Sequence, residues 1–349
     1  MQAGAVGEGG TVAAQDRDAS APRWQRLLAE AVRDTDELWR LLDLPVGLLP
    51  AARRAAGGFP LLVPRGFVAL MRRGDPCDPL LRQVLPLGDE LASPPGFTAD
   101  PLQEAGCGAA PGLLSKYRGR ALLVTTGACA VHCRYCFRRH FPYDGLPRGA
   151  RWWLPAIETL RADPACHELI LSGGDPLTLP DALLAALVAD AAAVPSLTRL
   201  RVHTRLPVVL PERVDDGLLA ALSGTRLGCT VVIHANHARE LSPEVAGACA
   251  RLRGSGCLLL NQSVLLAGVN DDVAALAELS ERLAAIGVMP YYLHQLDRVA
   301  GAAHFAVDDA RAIALHRELH AGLPGWLVPR LVRELPGMPG KMGLGLDAG

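Results

Sequence analysis

Lysine is almost missing from this 349-residue chain: of 35 basic residues, 33 are Arg and only Lys116 and Lys341 are Lys. Plain positive charge is supplied by Arg, so a retained Lys is a candidate for chemistry closed to a guanidinium, such as Schiff-base formation. An excess of one charge is lacking too. The formal net charge is −1, with no Lys/Arg run, which leaves no electrostatic footprint for nucleic acid or an acidic membrane. No stretch reaches the ~18 consecutive apolar residues of a membrane-spanning helix. The basic and apolar regions of a secretory signal are missing from the start of the chain. What is present is ample core material. Half the residues are hydrophobic and a fifth charged, which excludes disorder over most of the length. Nine Cys, an odd number with three inside eight residues, point to reduced thiols in a cytoplasmic setting and a metal or cluster, not a disulfide framework.

Residues 1–22 are small, polar and aperiodic, and are expected to form a disordered tail. Apolar residues recur at helical spacing from Trp24 to Leu42, with Thr35 and Asp36 expected to divide them into two helices. The Pro/Gly-rich stretch 45–115 predicts an irregular, partly helical lead-in, giving an N-terminal domain over 23–114. Beyond it, β-type runs at 121–126, 168–172, 198–204, 228–234, 258–268 and 288–294 alternate with amphipathic segments near 152–162, 180–193, 212–223, 238–254, 271–286 and 307–321. Six β/α repeats predict a parallel sheet covered by helices. The interval falls short of the ~250 residues of a complete barrel. The expected fold is α/β: a partial (β/α)6 barrel over 115–325, a mostly helical N-terminal extension and a short C-terminal segment, 326–349. Function is then expected at the C-terminal ends of the strands.

Directly after the first of these strands, Cys129, Cys133 and Cys136 stand in a C-x3-C-x2-C spacing. Soft thiolates suit an iron–sulfur cluster, zinc or copper(I). Three Cys in one loop can cap three corners of a [4Fe–4S] cube and leave the fourth iron open to a small molecule. A zinc site would need His132 or His140 as a fourth ligand, and structural zinc usually joins two knuckles where only one is present. The other six Cys (Cys77, Cys107, Cys166, Cys229, Cys249, Cys257) are scattered singly and read as core or incidental residues. The second strand ends in SGGDP, Ser172 to Pro176. Alone this is an ordinary βα turn with Asp175 as N-cap, yet the pair Gly173 and Gly174 allows backbone to approach a ligand closely.

Lys341 lies in PGMPGKMGLGL. The bland reading is a solvated charge on a frayed tail. The scarcity of Lys and the Gly/Pro context count against it, and a Schiff base with pyridoxal phosphate (PLP) would account for both.

The cysteine spacing followed by the Gly pair resembles the radical S-adenosylmethionine (SAM) superfamily, whose comparable motif holds the SAM amino group. A longer series narrows this: WQRLLAEAVRDTDELWRLL, PGLLSKYRGRALLV, CAVHCRYCFRRHFPY, LILSGGDPL, RVHTRLPVVLPERV, HANH, NQSVLLAGVND, PYYLHQLDRVAGAAHF and Lys341, in that order. From about Trp24 onward the chain resembles the lysine 2,3-aminomutase family, within it the branch supporting (R)-β-lysylation of elongation factor P. The resemblance implies a [4Fe–4S] cluster on Cys129, Cys133 and Cys136, with SAM at Ser172, Gly173, Gly174 and Asp175. It implies PLP on Lys341, with Tyr117 and Arg120 lining the cofactor. His234, Asn236 and Gln262 match cofactor-shell positions. Arg138 matches the Arg that grips the substrate carboxylate, the task of a guanidinium fork. Asp297 and Glu334 match two acids on the distal ammonium of lysine, a pair that would repel glutamate; without the resemblance they read as surface charge. Lys116, where free-lysine mutases carry Arg, reads as a phosphate or carboxylate partner. The implied partners are L-lysine, elongation factor P with its lysyl ligase, and an electron donor such as flavodoxin or ferredoxin.

Glu334 in place of Asp, Ala235 in place of an aromatic, and a chain that stops soon after Lys341 without a zinc-binding tail set this sequence apart from the free-lysine mutases. KYRGR and FRRHFPY favour the β-lysylation branch. The alternatives are a free lysine (or other amino acid) 2,3-aminomutase and, in another class, a non-catalytic Fe–S or zinc redox or interaction protein.

Overall fold

A computed structural model describes residues 21–147 and 149–345 of the chain. Residues 1–20 of the expected tail and the last four of the C-terminal segment lie outside the described residues. Ten strands form one sheet ordered as they occur in the chain. It opens with an antiparallel meander, β1 (Gly108–Ala110), β2 (Leu113–Tyr117) and β3 (Arg120–Val124). Then β4 (Glu168–Ser172), β5 (Arg199–Thr204), β6 (Gly228–Ile233), β7 (Leu258–Val264), β8 (Met289–His294) and β9 (Arg330–Arg333) follow parallel to β3. The sheet ends on β10 (Met342–Gly343), antiparallel to β9.

Five α-helices precede the sheet among the described residues, the longest being α1 (Arg23–Ala29), α2 (Thr35–Leu42) and α3 (Leu49–Gly58). Thr35 and Asp36 do not interrupt a helix. They begin α2, because the Asp34 side chain accepts from Glu37 N and caps it. The crossovers are α4 (Leu154–Ala162), α5 (Asp181–Ala192), α6 (Asp216–Ser223), α7 (Pro243–Gly254), α8 (Val273–Ala285) and α9 (Asp309–Gly322). Asp215, Ser242, Asp272 and Asp308 cap the N-termini of α6 to α9, so short turns deliver each helix back over the sheet. Every expected strand and helix of the six β/α units is present.

Two features lie across the expected domain limits. Strand β2 straddles the 114/115 boundary, and β9 adds a seventh parallel strand beyond 325. The first was hidden by the Pro/Gly-rich composition, the second by the brevity of RLVR. The N-terminal segment has no core of its own either. Trp24, Phe67 and Leu80 belong to the same buried cluster as Leu171, Val202 and Ile233 of the barrel, each large apolar side chain contributing about 1.5–3 kcal/mol. Arg213 reinforces this junction. Fully buried, it lies 4.5 Å from the Trp24 ring and donates to the carbonyls of Leu177 (2.6 Å) and Leu179 (3.2 Å).

Alternate residues of the strands face the packed core and an inner cavity. Along β5, Leu200 and Val202 are buried, whereas Arg201 and His203 line a cavity inside the barrel. The same alternation brings Leu122, Ile170, Ser172, Gln262, Val264, Tyr292 and His294 to that cavity. The lumen is therefore mixed, polar and apolar side chains standing side by side, and its volume is about 540 Å³.

Candidate active site

All the sequence-predicted site residues line this one cavity: Cys129, Cys133, Cys136, Arg138, Tyr117, Arg120, Ser172, Gly173, Gly174, Asp175, His234, Asn236, Gln262, Asp297, Glu334 and Lys341. Lys116 joins them, so both lysines of the chain face the same space.

The cysteine loop leaves β3 and is pinned on two sides. His132 N and Arg134 N donate to the carbonyls of Leu62 and Gln83 (both 2.9 Å) in the N-terminal segment. On the other side Gly174 N reaches Thr126 O (2.7 Å) and Asp175 N reaches Ala128 O (2.8 Å). The Gly pair exists for this stitching: a Cβ on Gly173, at φ +128°, would lie 2.7 Å from Thr126 O, and one on Gly174 would overlap the Ala128 carbonyl. The close backbone approach predicted for a ligand is thus already made to the cysteine loop. The Asp175 carboxylate is likewise spent within the protein, on Thr204 Oγ1 (2.7 and 2.9 Å), Arg205 N (2.8 Å) and Leu177 N (3.0 Å).

The donor set fits a cluster better than a single ion. Among the described residues no three His, Cys, Asp or Glu side chains converge on one point as a lone metal ion requires; the thiolates of a cube occupy separate corners. His132 and His140 each spend a ring nitrogen on a carbonyl, Pro60 O at 2.9 Å and Ala300 O at 3.1 Å. Burial, reinforced by neighbouring negative charge, pushes the Cys129 thiol well up and the Cys136 thiol to about 11. Ferric and ferrous iron would supply the missing positive charge.

The opposite wall carries a chain of alternating charges. Lys341 Nζ donates to Glu334 Oε2 (2.9 Å), Lys116 Nζ donates to Glu334 Oε1 (3.1 Å), and the same Nζ pairs with Glu104 Oε1 (2.9 Å). Glu104 grips Arg138 side-on, from Nε (2.6 Å) and Nη2 (2.7 Å), and Arg138 Nη1 donates to Ser172 Oγ (3.0 Å). Burial would raise Glu334, but the two lysines hold it down to about 2. Asp297 lacks such neutralisation: burial and the Glu334 charge lift it to about 7 against the pull of Lys341 and Lys116. Burial and Glu334 also raise the Tyr117 phenol, over whose ring Arg120 lies at 4.6 Å.

Four contributors carried no signature of their own in the sequence: Glu104, His203, His294 and Arg205. His203 and His294 are kept neutral by burial, and the Nε2 atom of each is buried without a protein partner, as expected of a wall built for a polar ligand. Burial holds His234 down to about 3, and its Nε2 meets Gln262 Nε2 at 2.9 Å. Asn236 is a wall brace: its amide donates to Gln83 (2.9 Å) and Tyr135 (2.6 Å) and its carbonyl oxygen accepts from Val264 N (2.8 Å). Strand-end position and alternation would have marked His203, His294 and Arg205; Glu104 sits in an aperiodic turn.

A barrel carrying three cysteines after β3 and a lysine beside β9 has close counterparts. The L-lysine 2,3-aminomutase of Escherichia coli is 49% identical over 325 residues, 93% of this chain and 95% of that protein. That of Haemophilus influenzae is 43% identical over 91% of this chain and 94% of its own length. The Clostridium subterminale L-lysine 2,3-aminomutase is 31% identical over 93% of this chain and 78% of its own. No protein-family model matches the chain. Among solved structures, a radical SAM methyltransferase from Sphaerobacter thermophilus aligns at 20% identity over 63% of this chain and 68% of that one, with a TM-score of 0.42. Relatives this similar over nearly their whole length define an isomerase. The chain belongs to the lysine 2,3-aminomutase family.

Proposed function

We propose that this enzyme is a PLP-dependent L-lysine 2,3-aminomutase that makes (R)-β-lysine for the modification of elongation factor P. One observation carries the reading. The chain's two lysines, the Glu334 they share, Asp297, Arg138 and the three loop cysteines all open on a single cavity. Cys129, Cys133 and Cys136 would hold the cluster, Ser172 to Gly174 would meet SAM, and Lys341 Nζ would hold PLP, with Tyr117 and Arg120 lining its site. When bound, the cluster and SAM supply one-electron chemistry able to break an unactivated C–H bond, and PLP supplies the carbonyl that carries the migrating amino group.

The side chains mainly position. Glu104 occupies the Nε/Nη2 edge of Arg138 and Ser172 Oγ accepts from Nη1, which fixes the guanidinium plane and leaves its remaining N–H donors for a substrate carboxylate. Glu334 and Asp297 offer carboxylates to the distal ammonium, and a carboxylate in its place would find no donor in that pair. The neutral imidazoles of His203, His234 and His294 add polarity without a cation that would oppose that ammonium. KYRGR, FRRHFPY, Glu334 and Ala235 support the elongation factor P branch.

The test is an anaerobic assay of reconstituted enzyme with SAM and a low-potential reductant. Free lysine and lysyl-modified elongation factor P are offered side by side, and β-lysine is scored by mass. Isomerisation is expected with wild type and none with Lys341→Ala, which should also lose its cofactor-derived visible absorbance. Turnover persisting in Lys341→Ala would reject the PLP assignment.

A further inference from the structure

Arg205 follows β5 at the C-terminal rim of the barrel and none of the roles above uses it. Its guanidinium is buried, with 5% of the side chain exposed. Nη2 donates to Gln83 Oε1 (2.6 Å) and Glu240 Oε2 (3.0 Å), while Nη1 points to the Sγ of Cys133 at 2.7 Å. Tyr135 and Phe67 flank it, with ring centroids 5.6 and 5.7 Å from Cζ. A brace between loops would account for the Nη2 bonds alone. Glu240 is already committed elsewhere, accepting from Gln83 Nε2 (2.9 Å), Asn236 N (2.9 Å) and His237 N (3.0 Å), so it neutralises the guanidinium only in part.

The three thiols differ in this respect. Cys133 receives a cationic side-chain donor, whereas the Cys136 sulfur receives a backbone N–H from Arg138. Positive charge and hydrogen bonds at ligand sulfurs favour the more negative, reduced form of a cluster, because the added electron spreads onto those sulfurs. The cation here is held in a low-dielectric pocket, where its field is weakly screened.

We propose that Arg205 is a positioning and tuning residue for the cluster: through Cys133 it raises the reduction potential of the [4Fe–4S]2+/+ couple, easing entry of the single electron that a low-potential donor delivers. This rests on the reading that Cys129, Cys133 and Cys136 hold the cluster.

The experiment is an anaerobic redox titration, followed by the EPR signal of the reduced cluster, on reconstituted enzyme without SAM or lysine. Wild type is compared with Arg205→Lys and Arg205→Gln at equal iron content. Arg205→Gln should lower the equilibrium constant for one-electron reduction at least tenfold, about 59 mV for a one-electron couple. Arg205→Lys, which keeps the charge and loses the fork, should fall between. An unchanged potential in a fully loaded Arg205→Gln overturns the proposal. If that variant takes up no iron, Glu240→Gln decides: it removes the counter-anion and leaves the guanidinium on the sulfur, so the potential must rise, and no rise overturns the proposal equally. A wild-type enzyme that forms no cluster would instead reject the underlying ligand assignment.

Discussion

Asp297→Asn should make the protein more stable and nearly inactive at once. A buried carboxyl lifted from 3.8 to about 7 costs about 4 kcal/mol to ionise in place. Because Asp297 lines an open cavity, solvent screening reduces this to ~1–3 kcal/mol. Between pH 3.8 and about 7 the folded chain keeps a proton that the unfolded chain has released, so this residue makes stability fall as pH rises through that window. Glu334 acts in the opposite sense. Held down to about 2 against 4.5, it adds stability that is complete above the unfolded value and is lost only as pH falls through about 2. The buried histidines titrate in both proteins and cancel in a difference. Urea unfolding of wild type and Asp297→Asn at pH 5 and pH 8 isolates the effect. The variant should gain ~1–3 kcal/mol on wild type between the two pH values, while losing on the order of 100-fold in kcat/KM for lysine, the worth of one buried charge-assisted hydrogen bond. In wild type kcat/KM should rise with pH through about 7, as Asp297 ionises. A difference that does not grow with pH would refute the argument.

Three further outcomes follow from the same geometry. Gly174→Ala should leave the barrel folded but prevent cluster assembly, since its Cβ overlaps the Ala128 carbonyl at the base of the cysteine loop; iron content and circular dichroism separate the two. Glu104→Gln removes the anion between Lys116 and Arg138, so the KM for the cationic substrate should rise about tenfold, roughly 1.4 kcal/mol. Arg213→Met strips the donor from the Leu177 and Leu179 carbonyls and leaves Asp181, now 2.8 Å from Nη2, without its partner; a loss of ~3 kcal/mol should appear in the urea midpoint.

The barrel was legible because its six expected strands are continuous or alternating apolar runs and four of its six crossover helices carry Asp or Ser caps. The N-terminal segment was not. Its order comes from Trp24, Phe67 and Leu80 packing into a core supplied by residues a hundred or more positions away, which local periodicity does not report. The cysteine loop and Lys341 stood out because spacing and rarity mark them, and both line the cavity. Glu104 could not, since an acid in a Gly-rich turn is ordinary until the β1–β2 meander brings it to Arg138. Lys116 lay between these cases: a phosphate or carboxylate partner was expected, and its partners are the protein's own Glu104 and Glu334. For Asp175 the motif was legible but its use was not, because tertiary contacts decide where that carboxylate is spent.

Lys341 and Glu334 stand just inside the β9–β10 pairing of Arg333 with Met342, so the amine is tied to the last strand of the described residues. That strand has two residues, the shortest in the sheet. Such an edge frays at little cost, and a bound carbonyl cofactor would fasten it by mass action. Amide exchange at Met342 and Gly343 would then act as a gauge of cofactor loading, slowing as the last strand is tied down.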